Sequence, residues 1–154
     1  MTEQQRKLLL DQLDRKLKRV QSMRDLGMPG EGWVYSIRRA IKMSLRQLGN
    51  RMNISPQSVK EIEQREKEGN ITLKTLREAG DALDMDFYYV FIPRKESLEK
   101  MIEERTYQLA RAIVLKTSNN MRLEDQEVDK KRLDQAIKSL AEDFYNKVPR
   151  NLWD

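Results

Sequence analysis

Apolar residues recur at spacings of three and four along most of this chain, and that rhythm predicts a succession of amphipathic helices. Leu9, Leu10, Leu13, Leu17, Val20 and Met23 mark the first, over residues 2 to about 26. Asp11–Arg15 and Asp14–Lys18 add oppositely charged pairs one turn apart. The run Gly27-Met28-Pro29-Gly30-Glu31-Gly32 then concentrates helix breakers and predicts a turn or linker. Beyond Pro93 two more helices are expected. One covers about 97–116 with Leu98, Met101, Ile102, Leu109, Ala112 and Ile113; the other runs from about Asp129 to Lys147 with Leu133, Ile137, Leu140 and Phe144, followed by Val148. Thr117-Ser118-Asn119-Asn120 is expected to separate them, because these side chains favour caps and turns. Pro149 should end the last helix and leave a tail, Arg150 to Asp154, in which Trp153 either docks on its own domain or meets a partner.

The middle of the chain carries a tighter grammar. Ser44-Leu45-Arg46-Gln47 is a capping box, and Leu45, Leu48 and Met52 form the stripe of a short helix. Gly49 sits inside it at a cost of about 1 kcal/mol relative to Ala, which implies that another helix crosses too closely for any side chain. Asn53 suits a left-handed turn, Ile54 plugs the corner, and Ser55-Pro56 restarts a helix with a cap and a proline at its first position. Val59 and Ile62 face inward, leaving Gln57, Lys60, Glu61 and Gln64 on the opposite side. Short helix, sharp turn and second helix with a polar outer face is the helix-turn-helix pattern; a plain surface hairpin is the blander alternative. Residues 86 to 93, with Phe87, Tyr88, Tyr89, Val90, Phe91 and Ile92, form the one convincing strand. No second strand is legible, so the expected partner is the same strand of a second copy across a two-fold axis. The rival is a buried extended segment.

Composition narrows the chemistry. The 154 residues contain neither Cys nor His, which removes disulfides, thiolate nucleophiles, Cys/His metal sites and the usual general base. No metal, cofactor or catalytic residue is expected, and the chain is expected not to be an enzyme. Mean hydropathy is −0.82, and the longest apolar run, Phe87 to Ile92, is far short of the roughly 20 residues of a membrane span. The N-terminus lacks a signal-peptide profile, so a soluble, cytoplasmic protein, nucleoid-associated when bound to DNA, is expected. The formal charge is +5. Residues 36–65 hold seven bases (Arg38, Arg39, Lys42, Arg46, Arg51, Lys60, Arg65) against Glu61 and Glu63, so this window carries an excess equal to that of the whole chain. Such a concentration suits a phosphate backbone.

The stretch Met43-Ser-Leu-Arg-Gln-Leu-Gly-Asn-Arg-Met-Asn-Ile-Ser-Pro-Gln-Ser-Val-Lys-Glu-Ile-Glu63, with Thr72-Leu-Lys-Thr-Leu-Arg-Glu-Ala-Gly-Asp-Ala-Leu83, resembles the Cro/phage-repressor (XRE) family over about residues 33–84. The whole chain resembles the mobile mystery protein A family, through Gln5-Arg-Lys-Leu-Leu-Leu-Asp-Gln-Leu-Asp14, Gly32-Trp33, Ser55-Pro-Gln-Ser-Val59 and Leu152-Trp-Asp154. Members of that family are often encoded beside a Fic-domain protein. The resemblance implies base contacts from Gln57, Ser58 and Glu61, phosphate contacts from Ser44 and Ser55, and a structural pairing of Arg38 with Glu63. It also implies the strand-mediated dimer, as in antitoxins of the HipB type. Two positions depart from the family: Leu45 stands where Gln commonly contacts phosphate, and Pro56 opens the recognition helix without an N–H. Binding would then lean on Arg39, Lys42, Arg46, Arg51 and Lys60, with Gln64 on the same outer face; Lys42 and Arg51 as plain solubilising residues, and Glu61 as a solvated charge, are the alternatives.

The expected fold is therefore mainly α: a lambda-repressor-like helix-turn-helix domain with one β-strand pairing across a dimer, and helical extensions at both ends. The expected division is an N-terminal helix and linker (1–30), a DNA-binding domain ending in the strand (31–93) and a C-terminal helical extension (94–154). The function expected is a sequence-specific homodimeric transcriptional regulator of a near-palindromic operator in double-stranded DNA, autoregulating an operon shared with a Fic-domain partner. The alternative is an antitoxin-like interaction module that neutralises the neighbouring gene product.

Overall fold

A computed structural model describes residues 1–123 and 130–154. Those residues are mainly helical, with seven α-helices and one 3-10 stretch. They group into two compact units: residues 22–90 form one, and both ends of the chain, residues 1–21 and 91–154, form the other. The N-terminal helix thus belongs to the same unit as the C-terminal extension.

The central unit contains α2 (Trp33–Ala40), α3 (Leu45–Met52), α4 (Pro56–Glu68) and α5 (Leu73–Ala82). Three of them start on a hydroxyl cap that accepts from the N–H three residues on: Ser44 from Gln47 at 3.1 Å, Ser55 from Ser58 at 3.1 Å and Thr72 from Thr75 at 3.1 Å. All four helices stop in the same way. Lys42, Asn53, Gly69 and Asp84 adopt left-handed φ of 57°, 55°, 74° and 58°. The N–H of the next residue then returns to a carbonyl five positions back, Met43 to Arg38 and Ile54 to Gly49 at 2.9 Å, Asn70 to Arg65 and Met85 to Gly80 at 2.8 Å. Repeated closure of this kind lets helices of eight to thirteen residues reverse within a few residues.

The faces brought together by these turns bury Val34, Leu48, Val59, Ala79, Ala82 and Leu83, flanked by Ile37, Met43, Leu45, Met52, Ile54 and Leu76. Gly49 is buried, and a Cβ there would lie 2.6 Å from the Ile54 carbonyl oxygen. What approaches Gly49 is therefore main chain of the turn into α4, not the side of a crossing helix. The expected strand over residues 86–92 is not formed within the chain. No ladder bonds reach it among the described residues, and no other segment there supplies a strand partner. It is not a buried extended segment either: Tyr88 is 80% and Phe91 82% exposed, with Tyr89 and Val90 also exposed, while Phe87 and Ile92 are half-buried.

The second unit consists of α1 (Glu3–Val20), α6 (Leu98–Leu123) and α7 (Lys130–Lys147); α1 runs on as a 3-10 stretch, Gln21–Asp25. The expected start of the last helix at Asp129 lies outside the described residues. Thr117-Ser118-Asn119-Asn120 does not interrupt α6. The Thr117 hydroxyl donates to the Ile113 carbonyl at 3.0 Å and Ser118 is buried, so these polar groups are accommodated by the helix and its packing instead of ending it. Asp11 pairs with Arg15 at 2.9 Å as expected, but Asp14 does not pair with Lys18. Its carboxylate accepts the N–H groups of Leu98 at 2.8 Å and Glu99 at 3.0 Å, while Ser97 accepts that of Lys100 at 3.0 Å. Together they satisfy the first three free donors of α6.

In the tail it is Leu152, not Trp153, that is buried; Arg105 grips the Leu152 carbonyl at 2.6 Å and also the main-chain oxygen of Asp154. Tyr145 donates to Glu99 at 2.6 Å. Its burial first, and then that bond to a carboxylate, push its phenol up to about 12. Among the described residues no helix is long and apolar enough to cross a membrane.

Trp33 lies in the central unit and Trp153 in the other, so each unit has its own fluorescence reporter once the other Trp is replaced by Phe. In the Trp153→Phe background, Gly49→Ala should destabilise the central unit by about 1–3 kcal/mol in urea, because backbone must move to admit the methyl. In the Trp33→Phe background, Asp14→Ala should lower the stability of the terminal unit by about 1–2 kcal/mol through loss of the α6 cap, with Gly49→Ala producing no such change.

Candidate nucleic-acid interface

Helix α4 divides cleanly. Val59, Ile62, Glu63 and Glu66 are its buried residues; Gln57, Lys60, Glu61 and Gln64 are all exposed on the other side. The presence of two carboxylates among four buried residues requires explanation, since an unpaired charge inside a protein costs several kcal/mol. Both are answered by α2. Glu63 receives Arg38 Nε at 2.5 Å and Nη2 at 3.2 Å, and Arg38 Nη1 reaches the Met43 carbonyl at 2.9 Å. Each residue of the pair is only 6% exposed. The pairing expected from the family resemblance is thus formed.

Glu66, one turn further along, is the residue that sequence reasoning missed. Helix α2 begins after Gly32, which has no side chain to cap it. The Glu66 carboxylate takes that role from a distance in sequence, accepting the N–H of Trp33 at 2.7 Å and of Val34 at 2.9 Å. Glycine at position 32 serves the same contact twice over. Its φ is 86°, and a Cβ there would lie 3.1 Å from the Glu66 carboxyl carbon. The available signal was a helix start with no capping residue before it, set against an acid at the helix-compatible spacing of three from Glu63.

Of the seven bases in the 36–65 window, three are paired with carboxylates of the protein. Arg38 holds Glu63; Arg51 meets Asp84 and the Ala82 carbonyl, each at 3.0 Å; and Arg65 lies 4.0 Å from Glu61. Arg51, read from sequence as either a phosphate contact or a solubilising residue, ties α3 to the end of α5, with half its side chain exposed. Arg39, Lys42, Arg46 and Lys60 are exposed and have no carboxylate partner. Three of them gather around one turn, Arg39 at the end of α2, Lys42 in the left-handed position and Arg46 in the first turn of α3. The Arg39 guanidinium lies 5.9 Å from the Tyr35 ring centre, on a half-buried aromatic that also carries Arg38 at 5.6 Å.

The remaining expected residues lie nearby in the same pair of helices. Ser44 and Ser55 are exposed caps, and Ser58 is half-buried with its hydroxyl 2.9 Å from that of Ser55. Gln64 donates to Glu68 at 2.6 Å. Gln57 makes no hydrogen bond through its side chain among the described residues. Leu45, where the resembled family has glutamine, packs against the core instead of standing free, and Pro56 is exposed at the start of α4. The arrangement offers four exposed cations without a carboxylate partner, two helix starts with exposed hydroxyl caps, and a polar row on a helix whose other side is locked in place.

No protein-family model, curated protein or solved structure matches the chain.

Replacing Arg38 by Met leaves Glu63 buried without a counter-charge and should cost about 3–5 kcal/mol, read by Trp33 fluorescence in urea. The double change Arg38→Met with Glu63→Met should recover most of that loss. A double variant as unstable as the single one would show that the pair's hydrogen bonds, including the one to Met43, outweigh its desolvation.

Proposed function

We propose that the chain is a sequence-specific DNA-binding regulator in which α3 and α4 act as a helix-turn-helix of the lambda-repressor-like, XRE type. The observation that carries this reading is the outer face of α4: Gln57, Lys60, Glu61 and Gln64 are exposed together on a helix held by two buried carboxylates on its inner side. A reader of base edges needs such a face, because a side chain can discriminate bases only if its helix does not shift. Gln57 is uncommitted and can bridge an adenine by two hydrogen bonds; Glu61 can accept from cytosine. Arg39, Lys42, Arg46 and Lys60 supply phosphate contacts that fix the register, with Ser44 and Ser55 presenting the helix N-termini to the backbone.

The regulator acts as a homodimer in this reading. Residues 87–92 offer exposed aromatic and β-branched side chains on main chain that makes no ladder within one copy, and pairing with a second copy would answer both features at once. Two-fold symmetry then calls for a near-palindromic operator with half-sites about one DNA turn apart. Membership of the mobile mystery protein A family and a Fic-domain partner encoded alongside are part of the same proposal and rest on the sequence resemblance.

Gel-shift or polarisation assays with DNA from upstream of the chain's own gene test it. Gln57→Ala should lose about 1–3 kcal/mol of discrimination at one position of each half-site while non-specific binding persists. Arg46→Ala should weaken binding to all sequences and lower the salt slope by about one. Lack of saltable, saturable binding to any upstream fragment, with the protein folded, rejects the reading.

A further inference from the structure

Gln64 shares the outer row of α4 with Gln57 and Glu61, but its amide is committed where that of Gln57 is not. The Gln64 Nε2 donates to the Glu68 carboxylate at 2.6 Å, one turn further along. That partner decides which end of the amide is spent. A carboxylate can only accept, so Gln64 must give it Nε2 and keeps Oε1 for any other contact. At about 100° per residue, Gln57, Glu61, Gln64 and Glu68 fall within about 60° of one another. All four are exposed. The buried residues Val59, Ile62, Glu63 and Glu66 lie at least about 100° away from each of them. From Gln57 to Gln64 the helix rises about 10.5 Å, close to three base steps of about 3.4 Å, with Glu61 between. A bond between two side chains on a helix surface adds little in water. In a groove that excludes water it is charge-assisted and gains strength, so the amide is most constrained where it would meet a base.

We propose that Glu68 is a positioning residue for DNA reading, which holds the Gln64 amide so that Oε1 meets the base edge and selects an exocyclic amino group. The inference rests on the reading of α4 as a recognition helix and deepens it by naming what one of its side chains selects. In the major groove the amino groups are N4 of cytosine and N6 of adenine; guanine and thymine present acceptors, with the thymine methyl. An uncommitted glutamine bridges adenine with both ends of its amide, or turns either end to suit another base. Gln64 tied to Glu68 has lost the donor half of that repertoire. Guanine or thymine opposite its Oε1 would set acceptor against acceptor and leave two desolvated groups without partners. Glu61 is restricted in the same direction, since a carboxylate has no donor at all. The row thus runs from Gln57, which both donates and accepts, to two residues that only accept. The chemical class it fits is a strand carrying adenine or cytosine at the positions facing Glu61 and Gln64. One hydrogen bond made, against one left unmade, gives about a five- to tenfold preference at the Gln64 position. Replacing Glu68 by Lys inverts the logic. Only donors are then supplied at position 68, so they take Oε1 and leave Nε2 for the acceptors of guanine and thymine.

The test uses the full-length protein to select duplexes from a pool with a randomised centre, and reads base frequencies at each selected position. The parent should show one position in each half-site where adenine or cytosine on the contacted strand exceeds guanine or thymine by about five- to tenfold. In Glu68→Lys that position alone should turn to guanine or thymine, with the positions read by Gln57 and Glu61 unchanged. The substitution places a cation in the last turn of an exposed helix face, which favours the helix. Because the preference is a ratio within one protein, the added charge cancels from it. Gln64→Ala should lose the preference. Gln64→Ala combined with Glu68→Lys should not regain one, which separates amide orientation from direct contact by the introduced side chain. A Glu68→Lys protein that selects the parent's bases at every position, or shifts several positions alike, overturns the positioning role and leaves the DNA-binding reading standing. So does a parent that selects a sequence without any such position. A switched preference that survives in the double variant overturns it in favour of a direct contact. Selection of no sequence by the folded parent overturns both.

Discussion

Two carboxylates three residues apart on α4 hold α2 by different handles. Glu63 takes the guanidinium of Arg38 near one end of α2, and Glu66 takes the free N–H groups of Trp33 and Val34 at the other. An acid buried at 6% exposure is tolerable only when its partners are themselves fixed, so each carboxylate constrains the element it touches as much as it is constrained by it. The inner side of α4 therefore has one register against α2. Sliding by a residue would strand both charges at once. The apolar contacts of Val59 and Ile62 supply burial, but they are less particular about position. It is this electrostatic registration that gives the outer row of α4 a defined presentation.

Much of this was legible beforehand because its causes are local. The Ser44 capping box, the left-handed Asn53 and the Ser55-Pro56 restart each draw on residues within a single turn, and each is found where the pattern put it. Gly49 was read as a close approach, correctly, yet the approaching atom is the Ile54 carbonyl of its own turn. The residues that could not be read act at long range. Glu66 caps a helix 32 to 33 positions earlier, and Asp14 caps one 84 to 85 positions later. A carboxylate on a helix surface looks the same in sequence whether it faces water or another helix's N-terminus. Lys42 and Asp84 belong to the same class: a left-handed close at a lysine or an aspartate costs about 1–2 kcal/mol, and the sequence carries no glycine to announce it.

The charge pattern was legible only as a sum. Seven bases against two acids located the cationic region, but the number that remain available is smaller. Arg38, Arg51 and Arg65 are occupied by protein carboxylates: one on a facing helix, one just past the end of α5, and one a turn away on the same helix. The segment 117–120 failed for a related reason. Turn-forming side chains end a helix when their hydrogen bonds have nowhere better to go, and in α6 Thr117 finds its own helix's carbonyl while Ser118 finds a packed interior. Local preference gave way to the burial that a long helix gains against its neighbour.

Assembling one unit from the two ends of the chain has a bearing on how the protein is made. On the ribosome α1 emerges before the central helices, yet the main-chain groups that Asp14 must cap belong to residues 98 and 99. The central helices, whose contacts span a few tens of residues, are complete before that partner exists. Synthesis thus imposes an order: the segment from α2 to α5 can consolidate early, while α1 waits, its leucines unpacked, until α6 arrives. A chain truncated after residue 93 would release a finished middle and an orphaned beginning.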